Sequence, residues 1–147
     1  MKENAIIFDL DGTLCDDSHR VPYILNNPTD DDWKKYHSNC IIDRPISFVR
    51  ELLMDLHKKY YIFLLTGRDE AYRKETIKWL TRFDIKYDEL LMRPNGMHVS
   101  SHEFKLNIYE THIREDFNII CVFEDRKKVV KMWRDLGLLC LQVQDND

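Results

Sequence analysis

Apolar and polar residues alternate in blocks along the chain, and the blocks predict strands and helices in turn. Five short apolar runs, each closed by polar or glycine residues, have the character of buried parallel strands. They cover Ala5–Phe8, Tyr61–Leu65, Leu90–Met92, Asn118–Phe123 and Leu138–Val143. Apolar residues at helical spacing predict four helices over residues 45–60, 72–83, 104–113 and 129–136. This order predicts an α/β fold, a doubly wound parallel sheet of about five strands.

Acidic and hydroxyl residues follow three of the predicted strands. Asp9 and Asp11 follow the first run, Thr66 to Arg68 follow the second, and Glu124-Asp125 follow the fourth. Ligands of open α/β sheets bind outside the carboxyl ends of the strands, so we expect these side chains to converge. Several carboxylates packed together need a cation. Oxygen ligands suit Mg²⁺, and no cysteine and histidine spacing indicates zinc.

Composition and charge narrow the class of protein. A chain of 147 residues with 44% hydrophobic content predicts one domain over residues 1–147. The net charge of −4 argues against a protein that grips long nucleic acid, although a nucleic-acid end or a small phosphate ester remains a possible substrate. No signal peptide or membrane span is evident, so we expect a cytoplasmic protein without membrane contact. The four cysteines are too sparse for a disulfide framework and are expected to be buried thiols.

Four short motifs occur in a fixed order along the chain. They are Asp9-Leu10-Asp11-Gly12-Thr13, Thr66-Gly67-Arg68, Lys105 and Glu124-Asp125. Their order and spacing resemble the motifs of the haloacid dehalogenase (HAD) superfamily of phosphotransferases. The resemblance implies a magnesium-dependent phosphatase with a HAD-like fold and only a minimal cap, here the insertion at about residues 15–44 near the active-site entrance.

The resemblance also implies a role for each motif residue. Asp9 would be the nucleophile that forms an aspartyl phosphate, and Asp11 would be the general acid and then the general base. Thr66 would hold a phosphoryl oxygen, and Lys105 would offset the charge of the nucleophile. The predicted metal ligands are Asp9, the backbone carbonyl of Asp11, and Asp125, with Glu124 acting through a metal-bound water. Taken by itself, Lys105 lies among polar helix residues, as a solvated lysine would.

The C-terminal third carries a narrower resemblance. It contains Phe123-Glu124-Asp125-Arg126, Val129-Val130-Lys131-Met132-Trp133-Arg134, Gly137, Cys140 and Gln142-Val143. This pattern resembles the 3′-phosphatase domain of phage polynucleotide kinases, whose Ser/Thr-Gly-Arg motif corresponds to Thr66-Gly67-Arg68. The match implies that these three residues bind substrate, with Arg68 clamping the phosphate. It indicates a polynucleotide 3′-phosphatase in nucleic-acid end repair. No Gly-x-x-x-x-Gly-Lys-Ser/Thr loop occurs, so kinase activity is not expected.

Three alternatives stay open at this point. The substrate could be a mononucleotide or another small phosphate ester, since the catalytic motifs would be the same. The chain could be a non-catalytic phosphate-binding module. It could also be a receiver-like signalling module, although such modules place the phosphorylated aspartate after strand three. No protein partner can be deduced from the sequence.

A few other residues invite functional interpretations. Trp33 and Tyr36 could stack on a base, but aromatic residues at helical spacing more often pack inside the fold. His19, Arg20 and Arg93 are candidate substrate contacts, for which solvated surface is the more ordinary interpretation. The Arg126, Lys127 and Lys128 cluster could attract phosphate or form an exposed helix face, whereas Trp79 and Trp133 are predicted core residues.

Overall fold

A computed structural model describes residues 1–147 and contains seven strands and five α-helices. The strands are β1 (Glu3–Phe8), β2 (Cys15–Asp16), β3 (Arg44–Pro45), β4 (Tyr61–Asp69), β5 (Glu89–Arg93), β6 (Phe117–Arg126) and β7 (Cys140–Asn146). The helices are α1 (Asp30–Ser38), α2 (Ser47–His57), α3 (Arg73–Arg82), α4 (Ser101–Ile108) and α5 (Lys127–Asp135). All five predicted strands and four predicted helices are present, with shifted ends. The predicted helix over 104–113 is α4 continued by a π-helical turn.

Five parallel strands form one sheet in the order β5-β4-β1-β6-β7. The first strand lies at the centre, because its buried residues pair with β4 on one side and β6 on the other. Helices α2 and α3 cover one face of the sheet, and α4 and α5 cover the other. The predicted doubly wound α/β fold is confirmed. Trp79 and Trp133 are fully buried in the two opposite layers, as predicted for core residues.

Residues 15–44 leave the sheet after β1 and return to it before α2. The two short strands β2 and β3 pair antiparallel, with Cys15 opposite Pro45, and so close the base of the segment. Helix α1 begins at a capping box in which the Thr29 and Asp32 side chains each accept from the other's backbone N–H. The 3₁₀ turn Asn39–Ile42 packs on α3. The segment is therefore a small folded insertion attached to one side of the sheet.

Two predictions from composition can be compared with the structure. All four cysteines are buried free thiols, as predicted. None of the helices combines the length and the apolar character that crossing a lipid bilayer requires.

Candidate active site

The predicted site residues lie at the carboxyl edge of the sheet, where the strand pairing becomes irregular. Asp9 directly follows β1 and keeps a backbone hydrogen bond to the Phe123 carbonyl oxygen at 3.0 Å. The β4–β5 register shifts between Leu65 and Asp69, and the β6–β7 register shifts between Glu124 and Arg126. Such irregularities re-aim side chains at strand ends. They let the second and fourth motifs reach the residue that follows the central strand.

Lys105 on α4 connects the first and last motifs. Its Nζ donates to Asp9 Oδ1 and to Glu124 Oε2, both at 2.8 Å, and its side chain is 3% exposed. Burial alone would lower the pKa of Lys105, but Asp9 and Glu124 raise it above its ordinary value. The lysine is therefore a buried, charged group held between two carboxylates, and the interpretation as a solvated helix residue is wrong.

Three buried carboxylates form a compact acidic cluster. Side-chain oxygens of Asp9, Glu124 and Asp125 lie within 4.8 Å of one another. Burial raises the pKa of both Glu124 and Asp125, and the negative charge of Asp9 raises it further. A single lysine does not neutralise three carboxylates, so the cluster has the charge and the oxygen donors that a divalent cation requires.

Glu124 differs from its two neighbours in how its oxygens are used. Oε2 accepts from Lys105, and Oε1 accepts from the backbone N–H of Asp125 at 3.1 Å. Both oxygens thus already accept from protein donors. This geometry agrees with the prediction that Glu124 reaches a metal through water, which stays a prediction.

Gly12 fixes the approach of the first motif to Asp125. Its φ of +81° lies in the left-handed region, and an added Cβ would lie 2.1 Å from Asp125 Oδ2. Strand β7 supports the same two residues, because Gln144 Nε2 donates to the Gly12 carbonyl oxygen and Asn146 Nδ2 donates to Asp125 Oδ2. The sequence did not indicate Gln144 or Asn146, since both lie beyond the end of the predicted last strand at Val143.

The carboxylate of Asp11 is held by two arginines. Arg68 Nε lies 3.1 Å from both Asp11 oxygens, and its Nη2 lies 2.6 Å from Oδ1. Arg20 Nη2 contacts the same oxygen. Burial alone would raise the pKa of Asp11, but Arg68 and Arg20 outweigh it and hold the pKa well below its usual range. Asp11 is thus a carboxylate whose charge is shared with two cations.

Arg20 is fully buried, so its interpretation as solvated surface is wrong. Its Nε and Nη2 donate to the two oxygens of Asp43 at 2.9 and 2.6 Å, and its Cζ lies 4.3 Å from the Tyr36 ring centroid. These contacts and the bond to Asp11 replace the water that the guanidinium loses. Asp43 is a functional candidate that the sequence missed, because a lone aspartate in a polar segment carries no recognisable pattern.

Arg93 is half-buried on the cleft wall and is bonded to the backbone. Its Nε donates to the Gly67 carbonyl oxygen at 2.9 Å and its Nη1 donates to the Val99 carbonyl oxygen at 2.6 Å. It therefore ties the Thr66-Gly67-Arg68 loop to the loop before α4. Thr66 itself is buried at this edge, where its Oγ1 accepts from the backbone N–H of Arg68 at 3.1 Å.

A cleft of about 890 Å³ opens above these residues and is lined by Asp9, Asp11, Thr66, Arg68, Lys105 and Glu124 among others. Helix α1 forms part of one wall through Trp33 and Lys34. Tyr36 is buried and donates to Asp17 Oδ2 at 2.6 Å, which agrees with the interpretation that it packs inside the fold and argues against its stacking on a base. Trp33 is 37% exposed on the cleft wall, where stacking stays a prediction.

Three cations on the cleft wall, Lys34, Arg126 and Lys128, have neither a carboxylate within 4.0 Å nor a side-chain hydrogen bond, whereas Arg93 is bonded to backbone carbonyls. Lys34 lies on α1, Arg126 is the last residue of β6, and Lys128 lies in the first turn of α5. Although the chain as a whole is acidic, this wall presents unpaired positive charge. The cleft lining also contains six carboxylates, so the three cations provide local positive charge at which a phosphate group can bind, and not a net positive cleft.

Nearly the whole chain matches a known family of phosphatase domains. A sequence profile of the polynucleotide kinase PNKP phosphatase domain matches residues 3–147. The chain belongs to this family. Membership of the PNKP phosphatase family confirms the resemblance seen in the motifs. It also argues against a receiver-like signalling module.

Individual relatives agree with this family. The "Putative bifunctional polynucleotide kinase/RNA ligase" of Autographa californica nuclear polyhedrosis virus is 31% identical over 91% of the chain. A protein chain in the structure of a Pnkp1/Rnl/Hen1 complex is 32% identical, with a TM-score of 0.87 over 99% of this chain. The haloacid dehalogenase-like hydrolase SP0104 of Streptococcus pneumoniae is 15% identical, with a TM-score of 0.68. The match covers 96% of this chain and 84% of SP0104, and it shows a shared fold.

The matched relatives are longer proteins. This member of the PNKP phosphatase family spans 18% of the viral relative and 47% of the chain in the Pnkp1/Rnl/Hen1 structure. The similarity thus covers one part of each relative, the part to which nearly the whole of this chain corresponds.

Proposed function

We propose that this chain is a magnesium-dependent phosphatase that removes the 3′-phosphate from a nucleic-acid end through an aspartyl phosphate on Asp9. The observation that carries the proposal is the position of Lys105 Nζ, 2.8 Å from both Asp9 and Glu124. A buried ammonium beside the carboxylate that follows the central strand is suited to offset the charge of an attacking nucleophile and of a phosphoryl group. Membership of the PNKP phosphatase family supports the choice of substrate.

The acidic cluster supports magnesium as the cofactor. Asp9, the backbone carbonyl of Asp11, and Asp125 would hold the ion, and all three are oxygen donors. Bound Mg²⁺ supplies positive charge that polarises the phosphoryl group. Thr13 supports the same cluster, because its Oγ1 lies 3.3 Å from Asp9 Oδ2.

In the first half of the reaction, a carboxylate oxygen of Asp9 attacks phosphorus and the bond from phosphorus to the 3′-oxygen breaks. Asp11 gives its proton to the departing oxygen. In the second half, Asp11 takes a proton from water as that water attacks phosphorus. The bond between phosphorus and Asp9 then breaks, which releases inorganic phosphate and restores both carboxyl groups.

Asp11 must be protonated for the first step, although Arg68 and Arg20 hold its pKa well below its usual range. A substrate phosphate competes with Asp11 for these guanidinium groups. When Arg68 turns to the phosphate, Asp11 loses three of its close donor contacts. Its pKa then rises, and the same movement gives the phosphate a fork of donors. Substrate binding and preparation of the acid are thus coupled through Arg68.

The cleft dimensions and charge fit a nucleotide rather than a phosphate ion alone. Its volume of about 890 Å³ is at the upper end of typical small-ligand sites. The cations Lys34, Arg126 and Lys128 line its walls in addition to Arg68 and Lys105, and there they can meet further phosphates. A mononucleotide phosphatase would use the same catalytic residues, so the substrate has to be tested directly.

The decisive experiment measures phosphate release from five substrates at equal concentration. These are 3′-phosphorylated RNA and DNA oligonucleotides, a 5′-phosphorylated oligonucleotide, and nucleoside 3′- and 5′-monophosphates. We expect release from the 3′-phosphorylated ends, with loss of activity on thorough chelation. Equal or faster release from 5′-mononucleotides would favour the small-molecule alternative.

The matched variant is Asp9→Asn, which keeps the size of the side chain and removes the nucleophile. We expect no turnover with an unchanged circular-dichroism spectrum. Turnover equal to that of the wild type would refute the role of Asp9 and the proposed intermediate.

A further inference from the structure

We propose that the groove between α4 and α5 binds the single-stranded phosphodiester backbone next to the terminal 3′-phosphate, an inference that rests on the proposed function. The groove has a volume of about 540 Å³. Its lining residues are His102, Leu106, Lys128, Lys131, Met132, Asp135 and Leu136. A strand bound in this groove would make the enzyme selective for polynucleotide ends over mononucleotides.

The groove is continuous with the catalytic cleft. His102 and Lys128 line both cavities, one from each of the two helices. Both α4 and α5 begin at the carboxyl edge of the sheet, where Lys105 and Asp125 lie. A strand whose 3′-phosphate reaches Asp9 can therefore leave the cleft between His102 and Lys128 and continue along the groove.

The cations of α5 are arranged for such a strand. Lys128 has no carboxylate within 4.0 Å. Lys131 meets only Asp135, at 2.6 Å, and both side chains are more than 60% exposed, so this pair is weak and can be exchanged for a phosphate. Lys127 contacts Asp145 and Asp147 and lines neither cavity. Lys128 and Lys131 thus line the groove, whereas Lys127 does not.

Spacing and polarity agree with this arrangement. Residues three apart lie on the same face of a helix, and Lys131 lies roughly 4.5 Å further along α5 than Lys128. The two lysines can therefore contact successive phosphates of an extended strand. Leu106, Met132 and Leu136 give the groove an apolar side on which sugar and base surfaces can pack. The carboxylate of Asp135 also lines the groove and repels a phosphate. We therefore expect the groove to contact only a few nucleotides of the strand.

The kinetic test compares a 3′-phosphorylated hexanucleotide with the nucleoside 3′-monophosphate of the same terminal base. The readout is the ratio of their kcat/KM values, which a general loss of activity does not change. We expect the wild type to favour the hexanucleotide, in RNA or DNA form, and Lys128→Gln to reduce the ratio roughly fivefold, the upper range for one exposed ion pair. Lys127→Gln is the matched control and should leave the ratio unchanged.

A binding measurement tests the groove independently of turnover. In the Asp9→Asn background, fluorescence anisotropy gives the Kd of labelled 3′-phosphorylated hexanucleotides over a range of salt concentrations. Loss of one phosphate contact should lower the slope of log Kd against log salt by roughly 0.7. We expect this change for Lys128→Gln and for Lys131→Gln, and not for Lys127→Gln.

The outcomes separate this inference from the proposed function. Equal kcat/KM for hexanucleotide and monophosphate, or equal effects of the Lys127 and Lys128 variants, would overturn the groove and leave the phosphatase intact. Absence of turnover on every phosphate ester would overturn the phosphatase, and the anisotropy series would still support or overturn the groove. A ratio reduced by Trp33→Ala but not by Lys128→Gln would place the strand on α1 and overturn the groove.

Discussion

Replacement of Lys105 by methionine tests the centre of the site most directly. The substitution keeps an unbranched side chain of similar length and removes the ammonium that bonds to Asp9 and Glu124 at 2.8 Å. All three side chains are less than 10% exposed. Removal of one partner from such a buried pair leaves uncompensated charge and costs about 3–5 kcal/mol. For a chain of this length, the melting midpoint should fall by on the order of 10 °C.

The catalytic effect should be separable from the loss of stability. At a temperature where Lys105→Met is fully folded, kcat should fall by about 10²–10³, the usual effect of removing one electrostatic stabiliser of a transition state. Magnesium should recover part of the lost stability, because a bound cation offsets the same carboxylates, but should not restore kcat.

The assays are denaturant unfolding in the presence of a chelator and steady-state phosphate release with magnesium. Lys74→Met, at an exposed position of α3, is the matched control for loss of a lysine. A Lys105→Met variant with an unfolding free energy within about 1 kcal/mol of the wild type and a kcat within a few-fold of it would refute the reasoning.

Three further predictions concern the surrounding residues. Gly12→Ala should abolish turnover and weaken magnesium binding measured by calorimetry, because its Cβ would lie 2.1 Å from Asp125 Oδ2; retained affinity would contradict this. The metal-free protein should melt at a lower temperature at about pH 8 than at about pH 5.5, because the raised pKa values of Glu124 and Asp125 contribute stability that is lost as pH rises through them. Magnesium should reduce that difference, and a metal-independent pH profile would argue against the cluster as the binding site. Arg20→Gln should lower the unfolding free energy by about 3–5 kcal/mol, since buried Asp43 loses both of its hydrogen bonds from the guanidinium; an effect below about 1 kcal/mol would show that His19 and Arg68 compensate Asp43 without Arg20.

The sequence predicted the number and order of the strands better than the residues at which each strand begins and ends. The apolar runs identified the five strands because a strand buried on both faces needs consecutive apolar residues. Strand β7 begins at Cys140 and ends at Asn146, whereas the apolar run covers Leu138–Val143. Its polar end pairs with β6 and supports the site, and hydrophobicity cannot reveal a strand that is extended for that purpose.

The sequence also misplaced two arginines. Arg20 and Arg93 were expected at the surface, because an isolated arginine is usually solvated. The structure buries Arg20 between Asp11, Asp43 and the Tyr36 ring, and fixes Arg93 to backbone carbonyls. Burial of a charge depends on partners that lie far away in the chain, and no local pattern records them.

The sequence by itself determined which residues of this protein can do chemistry, since Asp9, Asp11 and Asp125 stand directly after buried strands of a parallel sheet. Only the tertiary structure decided the state of those residues. It placed Lys105, 96 positions away in sequence, at 2.8 Å from Asp9, and it turned Asp11 toward two arginines. The reason is physical: periodicity reports which face of an element is buried, whereas the charge state of a carboxylate depends on the three-dimensional arrangement of cations and on the exclusion of water around it.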